Sequence, residues 1–103
     1  MADADALFDS IAASLAGRGA VAGVMFGKRA LKAGGKAFAC LKGDVLAFRL
    51  GAGTAAHASA LALPGAELFD PSTRDRPFKD WVAVPLSQSA RWADLAGIAF
   101  SSL

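Results

Sequence analysis

The chain has 103 residues, enough for one hydrophobic core but not for two, so we expect a single domain spanning residues 1–103. Hydrophobic residues make up 54% of the chain and charged residues 19%, a balance that excludes the disordered class. The longest uncharged stretch, residues 50–66, is too short and too weakly apolar for a transmembrane helix. An acidic start without a basic signal region, together with a single cysteine, Cys40, favours a cytoplasmic protein.

Positive charge is concentrated in one segment. The net charge of the chain is +2, but residues 28–49 carry six cations and one acid, which gives that segment +5 and leaves −3 for the rest. Such a segment is typical of a solvated strand face, or of a patch that binds an anion, a nucleic acid or a protein partner. The candidate patch consists of Lys28, Arg29, Lys32, Lys36 and Arg49.

The first elements follow from apolar spacing and glycine. Apolar residues at helical spacing predict a helix that Asp3 can cap and Gly17 can end. A strand is predicted from Val24 to Lys32, and Gly34-Gly35 supplies positive φ for the turn that follows. This loop could contain two or three residues, and each choice places Leu31 on a different face of the sheet, so both registers stay open.

Residues 36–42 and 45–50 predict a β-hairpin, because Gly43-Asp44 places glycine at the first central position of a type II′ turn. If Lys42 faces Val45, one face of the hairpin is wholly apolar and belongs to the core. That face carries Ala37, Ala39, Leu41, Leu46, Phe48 and Leu50. The other face holds Phe38 and Cys40 among cations, and we expect a second copy of the chain to cover part of it.

The C-terminal half continues with a short alanine-rich helix over residues 52–63, a short strand over 66–70 and a turn over 70–73. Pro77 favours extended geometry at Arg76, and a strand follows from Phe78 to Val84. Ser87 is predicted to cap a final helix. The predicted core, taken over the whole chain, contains Leu7, Ile11, Leu41, Leu46, Phe48, Leu50, Trp92 and Leu95.

Strand alternation from Phe78 predicts that Trp81 lies on the opposite face from Phe78, beside Lys79. A tryptophan there can bury its ring under its own chain, against a partner or against a ligand. The candidate interface therefore consists of Phe38, Cys40, Lys79 and Trp81.

The chain offers few groups for catalysis. One histidine and one cysteine do not form a metal cluster, and Cys40 and His57 are better explained as a half-buried cysteine and a surface histidine. Residues 51–56 fit the dinucleotide fingerprint, but they follow an antiparallel hairpin, whereas the fingerprint needs a parallel βαβ unit. We therefore predict no catalytic residue, no metal and no cofactor, and a protein that is not an enzyme.

Two segments carry a family resemblance: MFGKRALKAGGKAFACLKGDVLAFRL, and LFDPSTRDRPFKDWVAVP followed by a helix with W-x-x-L. From about Val24 to Phe100 the chain resembles the TfoX N-terminal domain family, especially its small stand-alone bacterial members of unknown function. The most specific parts are Met25-Phe26-Gly27, Gly35-Lys36 with Phe38-Ala39, Phe69-Asp70-Pro71, and Arg76-Pro77 with Trp81-Val82. The YjbR-like proteins, a family with a proposed DNA-binding role, share the glycine-lysine-phenylalanine hairpin and the tryptophan strand and are the second choice.

The resemblance implies an α+β fold of the secretion-chaperone-like type, with one antiparallel sheet of about five strands in the order α-β-β-β-α-β-β-α. It supplies no catalytic residues, and the second domain of longer family members has no counterpart in these residues. Two functional hypotheses follow. The first is a homodimeric module that binds proteins, and the second is a nucleic-acid-associated accessory of transcription or competence.

Overall fold

The structure, a computed structural model, describes residues 3–70 and 77–103. These residues form one six-stranded antiparallel sheet in the order β1-β2-β3-β4-β6-β5, with three α-helices, so the predicted α+β class is confirmed. The elements are α1 (Ala4–Ala16), β1 (Val21–Met25), β2 (Lys28–Ala33), β3 (Lys36–Lys42), β4 (Val45–Arg49), α2 (Ala55–Leu61), β5 (Glu67–Phe69), β6 (Phe78–Pro85), a 3-10 helix (Leu86–Arg91) and α3 (Trp92–Ser101).

The sheet has two unlike faces. On the inner face, strand side chains pack with all three helices in one large core. On the outer face, a smaller apolar cluster consists only of side chains from the strands. The turn predicted at residues 70–73 extends beyond the described residues, and the extended geometry predicted for Arg76 lies outside them.

The predicted first strand is in fact a hairpin, which adds the sixth strand. β1 and β2 pair antiparallel around a two-residue turn, Phe26-Gly27, whose φ angles are 53° and 73°. Positive φ at both central positions is the signature of a type I′ turn, which closes tight hairpins. Phenylalanine is a poor indicator of such a turn, because a bulky residue seldom adopts positive φ. The element order is therefore α-β-β-β-β-α-β-β-α.

The register predicted for the central hairpin is confirmed. Lys42 pairs with Val45 and Leu41 with Leu46, and Gly43 has a φ of 59° at the first turn position. The open question at the preceding loop is also answered, since Ala33 pairs with Lys36 across a two-residue turn. Strict alternation from Lys36 would then place Leu31 on the outer face, but Leu31 lies in the inner core because of the β-bulge described next.

A β-bulge at Phe38 corrects one detail of the predicted faces. Leu31 pairs with Ala39 and Lys32 with Ala37, so Phe38 has no partner in β2. The extra residue breaks the two-residue period, and Phe38 joins the inner core while Ala37 packs with the outer cluster. The prediction of Phe38 on the outer face and Ala37 on the inner face is therefore wrong. The Phe38 ring meets that of Phe100 edge-on, with 5.5 Å between centroids.

The predicted start of the first helix is confirmed, whereas α2 begins three residues later than predicted, at Ala55, and α3 begins at Trp92. The Asp3 carboxylate accepts a hydrogen bond from the Ala6 amide at 2.8 Å, as a helix N-cap does. Ser87 does not cap α3, because a 3-10 helix intervenes and α3 starts at Trp92, whose indole N–H donates to the Val84 carbonyl at 3.1 Å. All eight predicted core residues belong to the inner core, with Leu7 at its margin.

Candidate interaction surface

The outer face is covered by aromatic side chains of the same chain. Cys40, Ala47 and Ala83 form its floor, and no helix of the described residues packs over them. The Trp81 ring lies 5.9 Å from that of Phe69 and 6.5 Å from that of Phe78, between centroids. This group therefore replaces the layer that a helix or a partner would otherwise supply.

Trp81 lies on the outer face, as predicted, but Phe78 packs on the same face, so the prediction that the two residues lie on opposite faces is wrong. The pairing of β5 with β6 is irregular, because Leu68 faces Val82 while the next residue, Phe69, faces Phe78. The extra residues on β6 break the alternation between Phe78 and Trp81.

The four predicted interface residues do not form an exposed surface together. Phe38 and Cys40 are fully buried, and Trp81 is only 6% exposed. Lys79 alone is exposed. The inner core and the aromatic group explain the burial of Phe38, Cys40 and Trp81, so this burial is not an argument for a contact between copies.

Arg29 does not belong to the predicted basic patch, because its charge is paired with two acidic residues of α1. Its guanidinium donates to Asp5 at 3.1 Å and to Asp9, both on α1, and lies 4.4 Å from the centre of the Phe8 ring. The hydrogen bond to Asp9, and after it the one to Asp5, raises the pKa of Arg29 above its usual value. Arg29 therefore fastens α1 to β2.

The other predicted cations lie toward the outer face. Lys32 pairs with Ala37 across the strands and Arg49 with Trp81, and both partners belong to the outer cluster. Lys28 pairs with Met25, which packs against the same cluster. Lys36 borders a shallow depression shared with Arg49, Ala37 and Trp81. Within residues 3–70 and 77–103, none of these four cations forms a salt bridge.

The structure does not bring Cys40 and His57 together as a catalytic pair. Burial raises the pKa of the Cys40 thiol, partly offset by the nearby charge of Lys28, so the thiol is a weak nucleophile at neutral pH. His57 is buried rather than on the surface, and its Nε2 lies 2.8 Å from the Lys79 carbonyl. The part of the chain that the structure describes holds no metal-ligand cluster.

The backbone amides of the glycine-rich segment after β4 are hydrogen-bonded to Asp80 of the protein itself. The Asp80 carbonyl accepts from the amides of Leu50 and Gly51, and the Asp80 carboxylate accepts from the amide of Ala52 at 2.8 Å. A pyrophosphate would need such amides, so this arrangement supports an anchored loop instead of a dinucleotide site.

Sequence reasoning missed an exposed apolar group on β1 and its turn. Val21 is 64% exposed, Val24 63% and Phe26 60%, and β1 forms one edge of the sheet. Phe26 also contacts Phe78, with 5.8 Å between ring centroids. The available signal was the uncharged run over residues 20–27, AVAGVMFG. We call Val21, Val24 and Phe26 the edge group.

No protein-family model, curated protein or solved structure matches this chain. The resemblance to the TfoX N-terminal domain family therefore stays a prediction. None of the described helices combines the length and apolar character needed to cross a membrane.

Proposed function

We propose that this protein is a non-enzymatic, cytoplasmic interaction module that works as a homodimer. The observation that carries the proposal is the edge group, because a folded monomer gains nothing from exposing two valines and a phenylalanine at one sheet edge. The single cysteine is a buried thiol, which suits a reducing compartment. The resemblance to small stand-alone members of the TfoX N-terminal domain family agrees with a protein that acts through its surface.

The test is the mass of the protein in solution. Sedimentation equilibrium over a dilution series from about 500 µM to about 1 µM should show a monomer–dimer equilibrium, since weak and transient contacts are typical of small interfaces. A monomer at every concentration would remove the homodimer.

A second candidate function, binding of single-stranded nucleic acid, rests on a separate observation. Lys28, Lys32 and Arg49 lie toward the same face as the half-buried ring of Phe78. The exposed ring of Phe26 contacts Phe78, and this combination resembles the cation and ring arrangement of single-strand binders. Binding of a labelled strand of about 20 nucleotides should then weaken steeply between about 50 and about 200 mM NaCl. Absence of binding at the lower salt concentration would exclude this function.

A further inference from the structure

We infer that two copies of the chain join through their β1 strands, antiparallel and centred on Gly23, to form one continuous sheet of both molecules. This inference rests on the proposed homodimer and specifies its surface. β1 ends the sheet on one side, so one edge of its backbone has no neighbouring strand among the described residues. An open edge of this kind is a template for another strand.

The backbone groups available for pairing follow from the β1–β2 turn. Met25 and Lys28 flank a two-residue loop, so they form a hydrogen-bonded pair whose amide and carbonyl groups point at each other. The direction of these groups alternates along a strand. The amides and carbonyls of Val21, Gly23 and Met25 therefore point toward β2. Those of Ala22 and Val24 point outward, away from the sheet.

With a two-fold axis at Gly23, all the outward amides and carbonyls of Ala22 and Val24 form hydrogen bonds between the two copies. Ala22 of one copy then faces Val24 of the other, and each such pair exchanges two N–H···O bonds. Centring on Val24 would require Phe26 to pair, but its φ of 53° places it in the turn. Centring on Ala22 would require Gly19, which lies outside the strand. The register at Gly23 is the one that pairs all five residues of β1.

Glycine suits the position on the axis. A non-hydrogen-bonded antiparallel pair brings its Cα atoms to about 4.5 Å, the closest approach in a sheet. Gly23 has no side chain to obstruct it. The residue is not needed for an unusual conformation, because its φ is not positive, and the atoms nearest to an added Cβ belong to the Lys32 side chain, at 3.5 Å, which is ordinary van der Waals contact.

The area and charge at this edge fit a second copy. With about 150 Å² for a fully exposed valine and about 200 Å² for a phenylalanine, the exposed fractions of the edge group leave about 300 Å² per copy, so two copies bury about 600 Å² plus their flanking backbone, which is the range of weak dimers. Residues 20–27 carry no charge, so β1 itself brings no charged side chain to the contact, and the nearest cation is Lys32 of β2. The opposite edge, β5, has three residues and carries Glu67, which makes it a poorer template.

Lys32 gives the dimer a recognisable dependence on salt. Its aliphatic stem lies over Gly23, so the two Lys32 side chains approach each other beside the axis. Their mutual repulsion is screened by salt. We therefore expect association through β1 to tighten between about 50 and about 500 mM NaCl, the reverse of the dependence for nucleic-acid binding.

The first experiment compares Val24→Lys with Ile98→Lys by sedimentation equilibrium. Val24→Lys puts a charge at the paired edge of each copy and should weaken the dimer at least about tenfold. Ile98→Lys places the same charge on α3, at a side chain that is 39% exposed, and should leave the dimer unchanged. A dimer that keeps its affinity in Val24→Lys contradicts the β1 contact. Far-UV circular dichroism checks that both variants are folded.

The second experiment tests the register by disulfide cross-linking, with Cys40→Ala as the background. Gly23→Cys should link two chains under mild oxidation, because Cα atoms about 4.5 Å apart permit a disulfide. Val21→Cys is the matched control: it faces Met25 of the other copy, and its own counterpart lies roughly 14 Å away, so it should not link. A dimer without the Gly23→Cys link contradicts the inference but leaves the proposed function standing. A protein that is monomeric throughout contradicts both.

Discussion

The two faces of the sheet are covered in different ways. The inner face lies under three helices, which bring Phe8, Trp92 and Leu95 onto the strands and bury them almost completely. On the outer face, the rings of Phe69, Phe78 and Trp81 pack over a floor of small residues, without a helix of the described residues above them. The cations Lys28 and Lys32 lie on the same side, without ion pairs among the described residues. The inner face thus holds most of the apolar area that stabilises the fold, while the outer face and its edge retain groups that can make contacts.

The largest test of this difference is a pair of Phe→Ala substitutions. Phe48→Ala should lower the free energy of unfolding by about 3–5 kcal/mol, because it opens a cavity under helices that cannot collapse freely. Phe26→Ala, at a side chain that is 60% exposed, should change it by about 1 kcal/mol or less. Urea unfolding measures both values. Similar losses in the two variants would mean that the inner face is not the main source of stability.

The next test lies in the outer cluster. Trp81→Ala should lower the free energy of unfolding by about 2–3 kcal/mol, less than Phe48→Ala, because solvent and neighbouring rings can partly fill the space. Self-association should not change, since Trp81 is 6% exposed and its ring contacts Phe69 and Phe78 of its own chain. Urea unfolding and sedimentation equilibrium measure the two quantities. Weaker association at unchanged stability would instead indicate that Trp81 contacts a second copy of the chain.

The sequence predicted elements whose signals are local. The pairing of Leu41 with Leu46 follows from the Gly43-Asp44 turn, because a two-residue loop and a two-residue period leave only one register. Asp3 likewise indicated the start of α1. These features depend on residues that are close in the chain.

The bulge and the edge could not be predicted in the same way. Residues 37–41 are all apolar, so no polar residue marks the position where Phe38 leaves the alternation. The Phe26-Gly27 turn lacks the asparagine or aspartate that usually indicates a type I′ turn. The exposure of Val21 and Val24 depends on which strand ends the sheet, and that is a property of the whole strand order. Without the bulge and the strand order, strict alternation placed the candidate interface on Phe38, Cys40 and Trp81, which are buried in the structure.

The smallest expected effect compares two neighbouring cations of β2. Arg29→Met keeps the aliphatic packing on Phe8 but removes the bonds to Asp5 and Asp9, and we expect a loss of about 1 kcal/mol, since exposed ion pairs and cation–π contacts are individually weak. The loss should shrink in about 1 M NaCl because salt screens exposed charges. Lys28→Met, on the other side of the same strand, removes a cation that has no ion pair among the described residues and should change stability by less than about 0.5 kcal/mol. Thermal unfolding at low and high salt measures both variants. Equal losses for Arg29→Met and Lys28→Met would show that the free energy follows the net charge of β2 and not the contact of Arg29 with α1.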